Sequence, residues 1–112
     1  NKQQWHQNER PILILNTNEF EKFDWNLLVN LEELILKNNS LSKKFFHENL
    51  KLLNNLKHLT LKCNSMKKLD KKSLLNLNKL EFIDLSDNQL KNLDRELFQG
   101  LTNLRELYLN SN

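Results

Sequence analysis

Acidic and amide side chains crowd into one short stretch of the sequence, IDLSDNQL at residues 83–90. Asp84 and Asp87 flank Ser86, and Asn88 follows directly. Carboxylate and amide oxygens can bind Ca²⁺, and a pair of carboxylates can share general acid–base catalysis. The same residue types are common in turns at the ends of strands. The stretch alone leaves three interpretations open, namely a metal loop, a catalytic carboxylate pair and a turn.

The other side chains that could support catalysis or bind a metal are few and separated. His6, His47 and His58 lie on different predicted elements, without the spacing of a zinc site. Cys63 is the only cysteine, and it lies roughly 16 Å from His58 along an extended chain, too far for a Cys–His dyad. With a single glycine, the chain has no phosphate-cradling loop. We therefore expect a protein that is not an enzyme, with no catalytic residue, metal or cofactor.

The composition excludes several broad classes of protein. The 112 residues form at most one domain. The net charge is +3 with both signs interspersed, which is not the pattern of a nucleic-acid-binding protein. No run of about 18 apolar residues is present, so the sequence predicts no membrane span. A single cysteine excludes an internal disulfide and leaves the redox compartment open.

The stretch at residues 83–90 is one copy of a repeat. Four copies align on their leucines: LEELILKNNSL, LKHLTLKCNSM, LEFIDLSDNQL and the truncated LRELYLNSN. A weaker copy, RPILILNTNEF, begins at Arg10. The units begin at residues 10, 31, 56, 80 and 104, so their spacings are 21, 25, 24 and 24 residues. We divide the chain into a polar lead-in at residues 1–9 and repeats at residues 10–112.

Each unit contains alternating apolar and polar residues that predict a short strand. Period two places Leu59 and Leu61 inside and Thr60 outside. Because one unit cannot bury its own leucines, units must stack, and stacking builds a parallel sheet. The segments between strands carry apolar residues at three-to-four spacing, which favours short helices or turns. We expect the helix of the fourth unit to be capped by Asp94 and to end at Gly100.

The intervening segments supply the other half of the predicted core. The segment of the second unit is the longest, and its pattern is the most helical. The residues predicted to point inward from these segments are Phe20, Phe23, Trp25, Leu28, Phe45, Phe46, Leu50, Leu53, Leu69, Leu74, Leu77, Leu80, Leu93, Leu97, Phe98, Leu101 and Leu104.

An asparagine recurs at the same position of every unit, just after the strand. The chain turns there, and each unpaired backbone group that this turn buries costs about 1–3 kcal/mol. An asparagine side chain has both a donor and an acceptor, so it can pair with the backbone above and below it. Ionised aspartate lacks the donor and should be a poor substitute. The predicted structural ladder is Asn18, Asn39, Asn64, Asn88 and Asn112.

The pattern LxxLxLSxNxLxxLxxxLFxGLxxLxxL, almost complete from Leu80 to Leu104, resembles the extracellular leucine-rich repeats of animals. The 24-residue spacing and the LFxGL step at Leu97 to Leu101 are similar to those of Toll and Toll-like receptor ectodomains and of Slit-like proteins. The resemblance covers Arg10 to Asn112. It implies an α/β horseshoe solenoid with a parallel sheet on its concave face and short helices or turns on its convex face. It also implies an extracellular or cell-surface recognition module for a protein or microbial ligand, often a dimer.

Some features depart from that resemblance. The cysteine-rich caps usual in such ectodomains are not visible, and Leu107 and Leu109 would face an uncovered core. We therefore expect the natural chain to continue past Asn112. A secreted immune or adhesion factor and a cytosolic scaffold remain as alternatives, since the free Cys63 also fits a cytosolic protein. Asn38, in the sequon NNS, is a candidate for N-glycosylation.

The outward strand positions form the predicted ligand-binding surface on the concave face. Residues in one column of neighbouring strands lie about 4.8 Å apart and touch. Exposed Phe and Tyr are favoured anchors of protein interfaces, so we expect a protein partner here and no nucleic acid. Alternatively, the isoleucines pack under the lead-in with Trp5. The predicted binding residues are Ile12, Ile14, Glu33, Ile35, Lys37, His58, Thr60, Lys62, Phe82, Asp84, Asp87, Glu106 and Tyr108.

The repeat also changes the interpretation of IDLSDNQL. Its apolar residues point into the core, and Asn88 joins the ladder. Only Asp84, Ser86 and Asp87 remain free for a partner. Lys62 lies one strand away, so we expect a surface ion pair with an aspartate, contributing well under about 1 kcal/mol. The sequence predicts a strand-ending turn here rather than a metal loop.

Overall fold

A computed structural model describes residues 10–16 and 19–112 of the chain. Within these residues, five short strands form one parallel sheet in which each strand pairs with the next along the chain. The strands are β1 (Ile12–Asn16), β2 (Glu33–Lys37), β3 (His58–Thr60), β4 (Phe82–Asp84) and β5 (Glu106–Tyr108). Parallel strands in consecutive order are the topology that stacked repeats of one strand each produce.

The strands pair in register, so equivalent residues of successive units stand in columns. Leu34 pairs with Leu59, and Leu59 pairs with Ile83. All three side chains are fully buried, whereas their neighbours on the strand are half-buried. The sheet therefore shows the alternation of buried and outward residues that the sequence predicts. One face of the sheet lies in the core and the other points outward.

The segments between strands are short helical turns. The described residues contain the 3-10 helices Glu19–Lys22, Trp25–Leu28, Leu50–Leu52 and Arg95–Phe98, and the π-helix Phe45–Asn49. The segment of the second unit is the most helical, as predicted, with a continuous helical run over residues 43–52. The segment of the third unit contains turns at residues 71–76 instead of a helix. Strands therefore alternate with helices or turns along the chain, and outside residues 43–52 each helix is only about one turn long.

One apolar core joins the inward strand residues to the intervening segments. Most of the residues predicted to point inward are buried, and Phe23, Leu28, Leu93, Phe98 and Leu104 are half-buried against them. An aromatic cluster fills the end of the core nearest the first unit. The ring of Phe45 meets Phe20 and Trp25 edge-on at centroid distances of 5.3 and 5.5 Å, an arrangement that aromatic pairs favour.

Asp94 begins the helix of the fourth unit as predicted, since its side chain accepts a hydrogen bond from the Glu96 N–H at 2.8 Å. The prediction for Gly100 is confirmed for its position, directly after the C-cap residue Gln99, but not for the left-handed conformation of a capping glycine. The helix ends at Phe98, and Gly100 does not have a positive φ. A Cβ atom at Gly100 would meet its nearest neighbour, Asn78 Oδ1, at 3.9 Å, which is ordinary contact. Neither the backbone conformation nor the available space at this position requires glycine.

The last unit is the most exposed part of the sheet. Leu107 and Leu109 are each 37% exposed, whereas the equivalent Ile83 and Leu85 are fully buried. This difference follows from stacking, because each unit is covered by the unit that follows it. Across the described ranges, no helix is long and apolar enough to cross a membrane.

Candidate binding face

The asparagine ladder fixes each turn where the chain leaves the sheet. Asn64 Oδ1 accepts a hydrogen bond from the backbone N–H of Asn39 at 2.8 Å. Asn64 Nδ2 donates to the carbonyl oxygens of Leu36 at 3.0 Å and Lys62 at 3.2 Å. The amide thus links its own unit to the preceding unit, rather than to the units on both sides.

The same arrangement recurs in the following units. Asn88 Oδ1 accepts from the Asn64 N–H at 2.9 Å, and Asn112 Oδ1 accepts from the Leu90 N–H at 3.0 Å. The side chains of Asn39, Asn64 and Asn88 are buried. Asn18, the first predicted member of the ladder, lies outside the described residues.

The residue before each described ladder asparagine adopts a left-handed backbone conformation. The φ angles are 56° at Asn38, 61° at Cys63, 56° at Asp87 and 60° at Ser111. Asparagine and aspartate tolerate this region, whereas other L-residues lose about 1–2 kcal/mol there. The same turn is therefore formed by different residues in different units. Cys63 is less suited to its left-handed conformation than asparagine or aspartate. The Asn38 side chain of the sequon is exposed.

Ten residues that alternate with the buried strand residues form what we call the outward sheet face. The register arranges them in two columns. The first column is Ile12, Glu33, His58, Phe82 and Glu106, and the second is Ile14, Ile35, Thr60, Asp84 and Tyr108. Both columns lie on one continuous surface, which brings together the strand residues that the sequence analysis selected.

An aromatic row crosses this face. The ring centroid of Phe82 lies 5.8 Å from that of His58 and 5.4 Å from that of Tyr108. Tyr108 is 42% exposed, and Ile14 at the other end of its column is 51% exposed. The Nδ1 atom of His58 is buried and has no hydrogen-bond partner among the described residues. The centre of the face therefore consists of aromatic rings, and its polar atoms do not form a complete hydrogen-bond network.

Negatively charged side chains of the face affect the ionisation of Tyr108. Its hydroxyl donates a hydrogen bond to Glu106 Oε2 at 3.1 Å. This hydrogen bond and the negative charge of Glu106 raise the pKa of Tyr108 above its usual value, and the charge of Asp84 adds to the effect. The carboxylates of Glu106 and Asp84 therefore make this edge of the face acidic.

The charged residues near the face are mostly engaged in pairs. Lys62 Nζ lies 3.7 Å from Asp87 Oδ2, and Arg10 Nη2 lies 2.9 Å from Glu33 Oε1. Both pairs are partly exposed and contribute little to stability. Lys37 is exposed at the end of β2. The charges surround the aromatic row without covering it.

The sequence analysis was wrong about Ser86. Its side chain is buried, and its hydroxyl donates to Asn110 Oδ1 at 2.8 Å. Its N–H donates to Asp84 Oδ1 at 2.9 Å. Period-two alternation placed Ser86 outward, but β4 ends at Asp84, so the alternation no longer applies at this position.

Two features of the sequence analysis lie outside the described residues. They are the polar lead-in at residues 1–9 and its Trp5, on which the alternative packing of the isoleucines depends. Ile12 and Ile35 are half-buried at their positions in the two columns.

A second polar ladder, formed by residues in the loops that precede strands β3, β4 and β5, was missed. Asn55 Nδ2 donates to the carbonyl oxygen of Val29 at 2.9 Å, and Asn103 Nδ2 donates to that of Asn78 at 2.9 Å. Lys79 occupies the equivalent position between them, and its Nζ donates to Asn55 Oδ1 at 2.8 Å. The signal was available in the sequence, because these three positions are separated by the repeat spacing of 24 residues.

No group of three His, Cys, Asp or Glu side chains is placed to hold a metal ion in the part of the chain that the structure describes. The one close histidine–carboxylate contact there is His47 Nε2 to Asp70 Oδ1, at 3.1 Å. Burial acts to raise the pKa of Asp70, but hydrogen bonds from His47, the Lys72 N–H and the Ser73 hydroxyl outweigh it. The pKa of Asp70 therefore lies below its usual value.

Comparison with known families agrees with this architecture. The family model described as Leucine rich repeat matches residues 29–90 and residues 54–112, which together span three quarters of the chain. A comparison with curated proteins gives no match. The matched residues contain four of the five strands and the three buried asparagines. The chain therefore belongs to the leucine-rich repeat family.

Proposed function

We propose that this chain is a recognition segment of a Toll-like ectodomain that binds a protein or microbial ligand through its outward sheet face. Stacked repeats of this kind commonly use their sheet side as an extended binding surface. The observation that carries the proposal is the contiguous aromatic row of His58, Phe82 and Tyr108. Aromatic side chains are enriched in protein interfaces, and tyrosine is enriched among the few residues that carry most of the binding energy.

The Toll-like assignment rests on the sequence of the fourth unit. Its LFxGL step at Leu97 to Leu101 and its 24-residue spacing support an animal extracellular repeat. The proposal includes a horseshoe curvature that makes the outward sheet face concave, and dimerisation of the ectodomain on ligand binding. It also includes an extracellular or cell-surface location and a glycan on Asn38, whose side chain is exposed.

We further propose that the chain is not an enzyme and needs no cofactor. The two aspartates at and just after the end of β4 support this, because each makes a local contact. Asp87 pairs with Lys62, and Asp84 accepts the Ser86 N–H. Among the described residues, no hydrogen bond or ion pair joins either aspartate to a histidine or cysteine, as the activation of a nucleophile would require.

A second candidate is a cytosolic scaffold, which the free, half-buried thiol of Cys63 favours. A secreted immune or adhesion factor would share the extracellular location without a receptor role. The gene sequence on both sides of this chain discriminates among the three. A signal peptide excludes the scaffold, and a membrane span with an intracellular signalling domain selects the receptor.

Expression in the secretory pathway of animal cells tests the location and the binding role together. We expect a secreted chain whose mobility shifts on N-glycosidase treatment, and an Asn38→Gln variant without that shift. The secreted chain should capture a partner that the Phe82→Ala/Tyr108→Ala variant does not capture. A Leu27→Ala/Leu75→Ala variant, altered at exposed leucines outside the sheet, is the matched control. A chain retained unglycosylated in the cell, or equal capture by both variants, contradicts the proposal.

A further inference from the structure

A large groove lies apart from the outward sheet face. It is half-open, and its volume is about 1080 Å³. Its walls are the segments that follow the ladder asparagines of three successive units, residues 40–43, 64–70 and 91–94, together with Phe46 and Ser73. None of the ten residues of the outward sheet face lines it. Any ligand of this groove would therefore occupy a second site.

The floor of the groove is apolar. It is formed by Leu41, Phe46, Met66, Leu69 and Leu93, one or two from each segment. Leu41 and Leu93 are only half-buried against the core, so part of each side chain remains accessible. Burying this accessible apolar surface under a ligand would be favourable. The floor can therefore contribute apolar binding energy.

The rim of the groove is basic. Lys43, Lys67, Lys68 and Lys91 line it, and all four are exposed. None of them pairs with a carboxylate of the described residues, in contrast to Lys57, Lys62 and Lys71. Four unpaired cations thus surround an apolar floor, and this raises the local positive potential.

The two acidic residues of the groove offset only part of this charge, because two carboxylates stand against four lysines. Asp70 accepts hydrogen bonds from His47, Ser73 and the Lys72 N–H. Asp94 caps the helix that follows it. Their carboxylates are therefore held by local donors, while the four lysines remain available to a ligand.

We propose that the groove binds an acidic peptide segment of another protein. The apolar side chains of the segment would contact the floor, and its carboxylates would pair with the lysines. The apolar floor beside the lysines favours a ligand that carries both carboxylates and apolar side chains, as a peptide does, over a free phosphate. Three units span about 10 Å, which matches about three residues of an extended peptide.

Fluorescence anisotropy with labelled peptides tests this proposal. The probe is a short peptide in which glutamate alternates with leucine, and the controls replace glutamate with lysine or leucine with serine. We expect the probe to bind and both controls to bind at least about tenfold more weakly, because the site needs both charge and apolar contact.

Two matched variants locate the site. In the full chain, Lys67→Gln/Lys91→Gln should weaken the binding of the probe about tenfold, and Lys22→Gln/Lys51→Gln should leave it unchanged. Lys22 and Lys51 are also exposed, do not line the groove and give the same change in net charge. Equal weakening by both variants, or no weakening by either, overturns the proposal. Circular dichroism verifies that each variant is folded.

Chemical-shift mapping separates this groove from the outward sheet face. Adding the probe should shift backbone amide signals in residues 40–43, 64–70 and 91–94, with the signals of Phe82 and Tyr108 unchanged. Shifts confined to the strands overturn the assignment of the groove. Duplex DNA or anionic vesicles that bind as tightly as the probe, and are weakened by the same double variant, overturn the choice of an acidic peptide.

Discussion

Asn88 Oδ1 accepts the backbone N–H of Asn64 at 2.9 Å, so the side chain of one unit closes the turn of the preceding unit. Asn88 Nδ2 donates in turn to carbonyl oxygens, including those of Leu61 at 2.9 Å and Leu85 at 3.0 Å. A single buried amide thereby satisfies both donors and acceptors of two adjacent turns. The outward sheet face depends on this ladder, because it holds successive strands in register.

Replacement of Asn88 by aspartate should therefore destabilise the fold strongly. The carboxylate would lose the donor and would lie against carbonyl oxygens, which lowers the free energy of unfolding by about 3 kcal/mol. The matched control is Asn92→Asp, an exposed asparagine four residues later. Urea denaturation monitored by circular dichroism gives both values. Similar losses in the two variants would contradict the role of the ladder.

At the left-handed turn of Cys63, we expect one substitution to raise the free energy of unfolding rather than lower it. Cys63→Asn should raise the free energy of unfolding by about 0.5–1 kcal/mol, because asparagine tolerates the φ of 61°. Cys63→Val should lower it, since a β-branched residue is an outlier there. Thermal unfolding of both variants provides the measurement. The account of this turn fails if the two substitutions change the midpoint in the same direction.

Lys79 interrupts the second polar ladder, and an asparagine there should complete it. By analogy with Asn55 and Asn103, the new amide would donate to the carbonyl oxygen of Asn54. The substitution also removes the hydrogen bond from Lys79 Nζ to Asn55 Oδ1. Because that bond is exposed and the new bond is made to a backbone carbonyl, we expect Lys79→Asn to raise the free energy of unfolding by at most about 0.5 kcal/mol. Asn103→Ala should lower it by a similar amount. Denaturant midpoints measure the effects of both substitutions. If Lys79→Asn lowers the free energy of unfolding, position 79 is not equivalent to the positions of Asn55 and Asn103.

The pKa of Tyr108 reports directly on the geometry of the outward sheet face. Because Glu106 accepts the hydrogen bond of the phenol and repels the phenolate, Glu106→Gln should lower the pKa of Tyr108 toward its ordinary value. Asp84→Asn should lower it less. Tyr108 is the only tyrosine, so ultraviolet absorbance follows its ionisation without interference. A larger shift from Asp84→Asn than from Glu106→Gln would be inconsistent with the observed contact.

The spacing of the repeats predicted those features of the fold that recur in every unit. Fixed spacing identified the strands and the positions of Asn39, Asn64 and Asn88, because each unit must satisfy the same backbone groups at the same place. It did not predict the diagonal contact of Phe82 with Tyr108, which depends on side-chain reach between columns. Ser86 was misplaced because it lies just beyond the end of β4. The basic groove was missed although the repeat carries a signal for it. Lys67 and Lys91 each stand three residues after a ladder asparagine, and Lys43 and Lys68 each stand four residues after one.

The most direct test of the central claim is the dissociation constant of a captured partner. We predict that Phe82→Ala/Tyr108→Ala raises this constant at least about tenfold, since the variant removes two aromatic anchors. The Leu27→Ala/Leu75→Ala control should leave the constant unchanged, because both leucines lie outside the sheet. Isothermal titration calorimetry on variants with matched unfolding midpoints provides the comparison. An unchanged dissociation constant for a folded Phe82→Ala/Tyr108→Ala variant would contradict the claim that this face binds the partner.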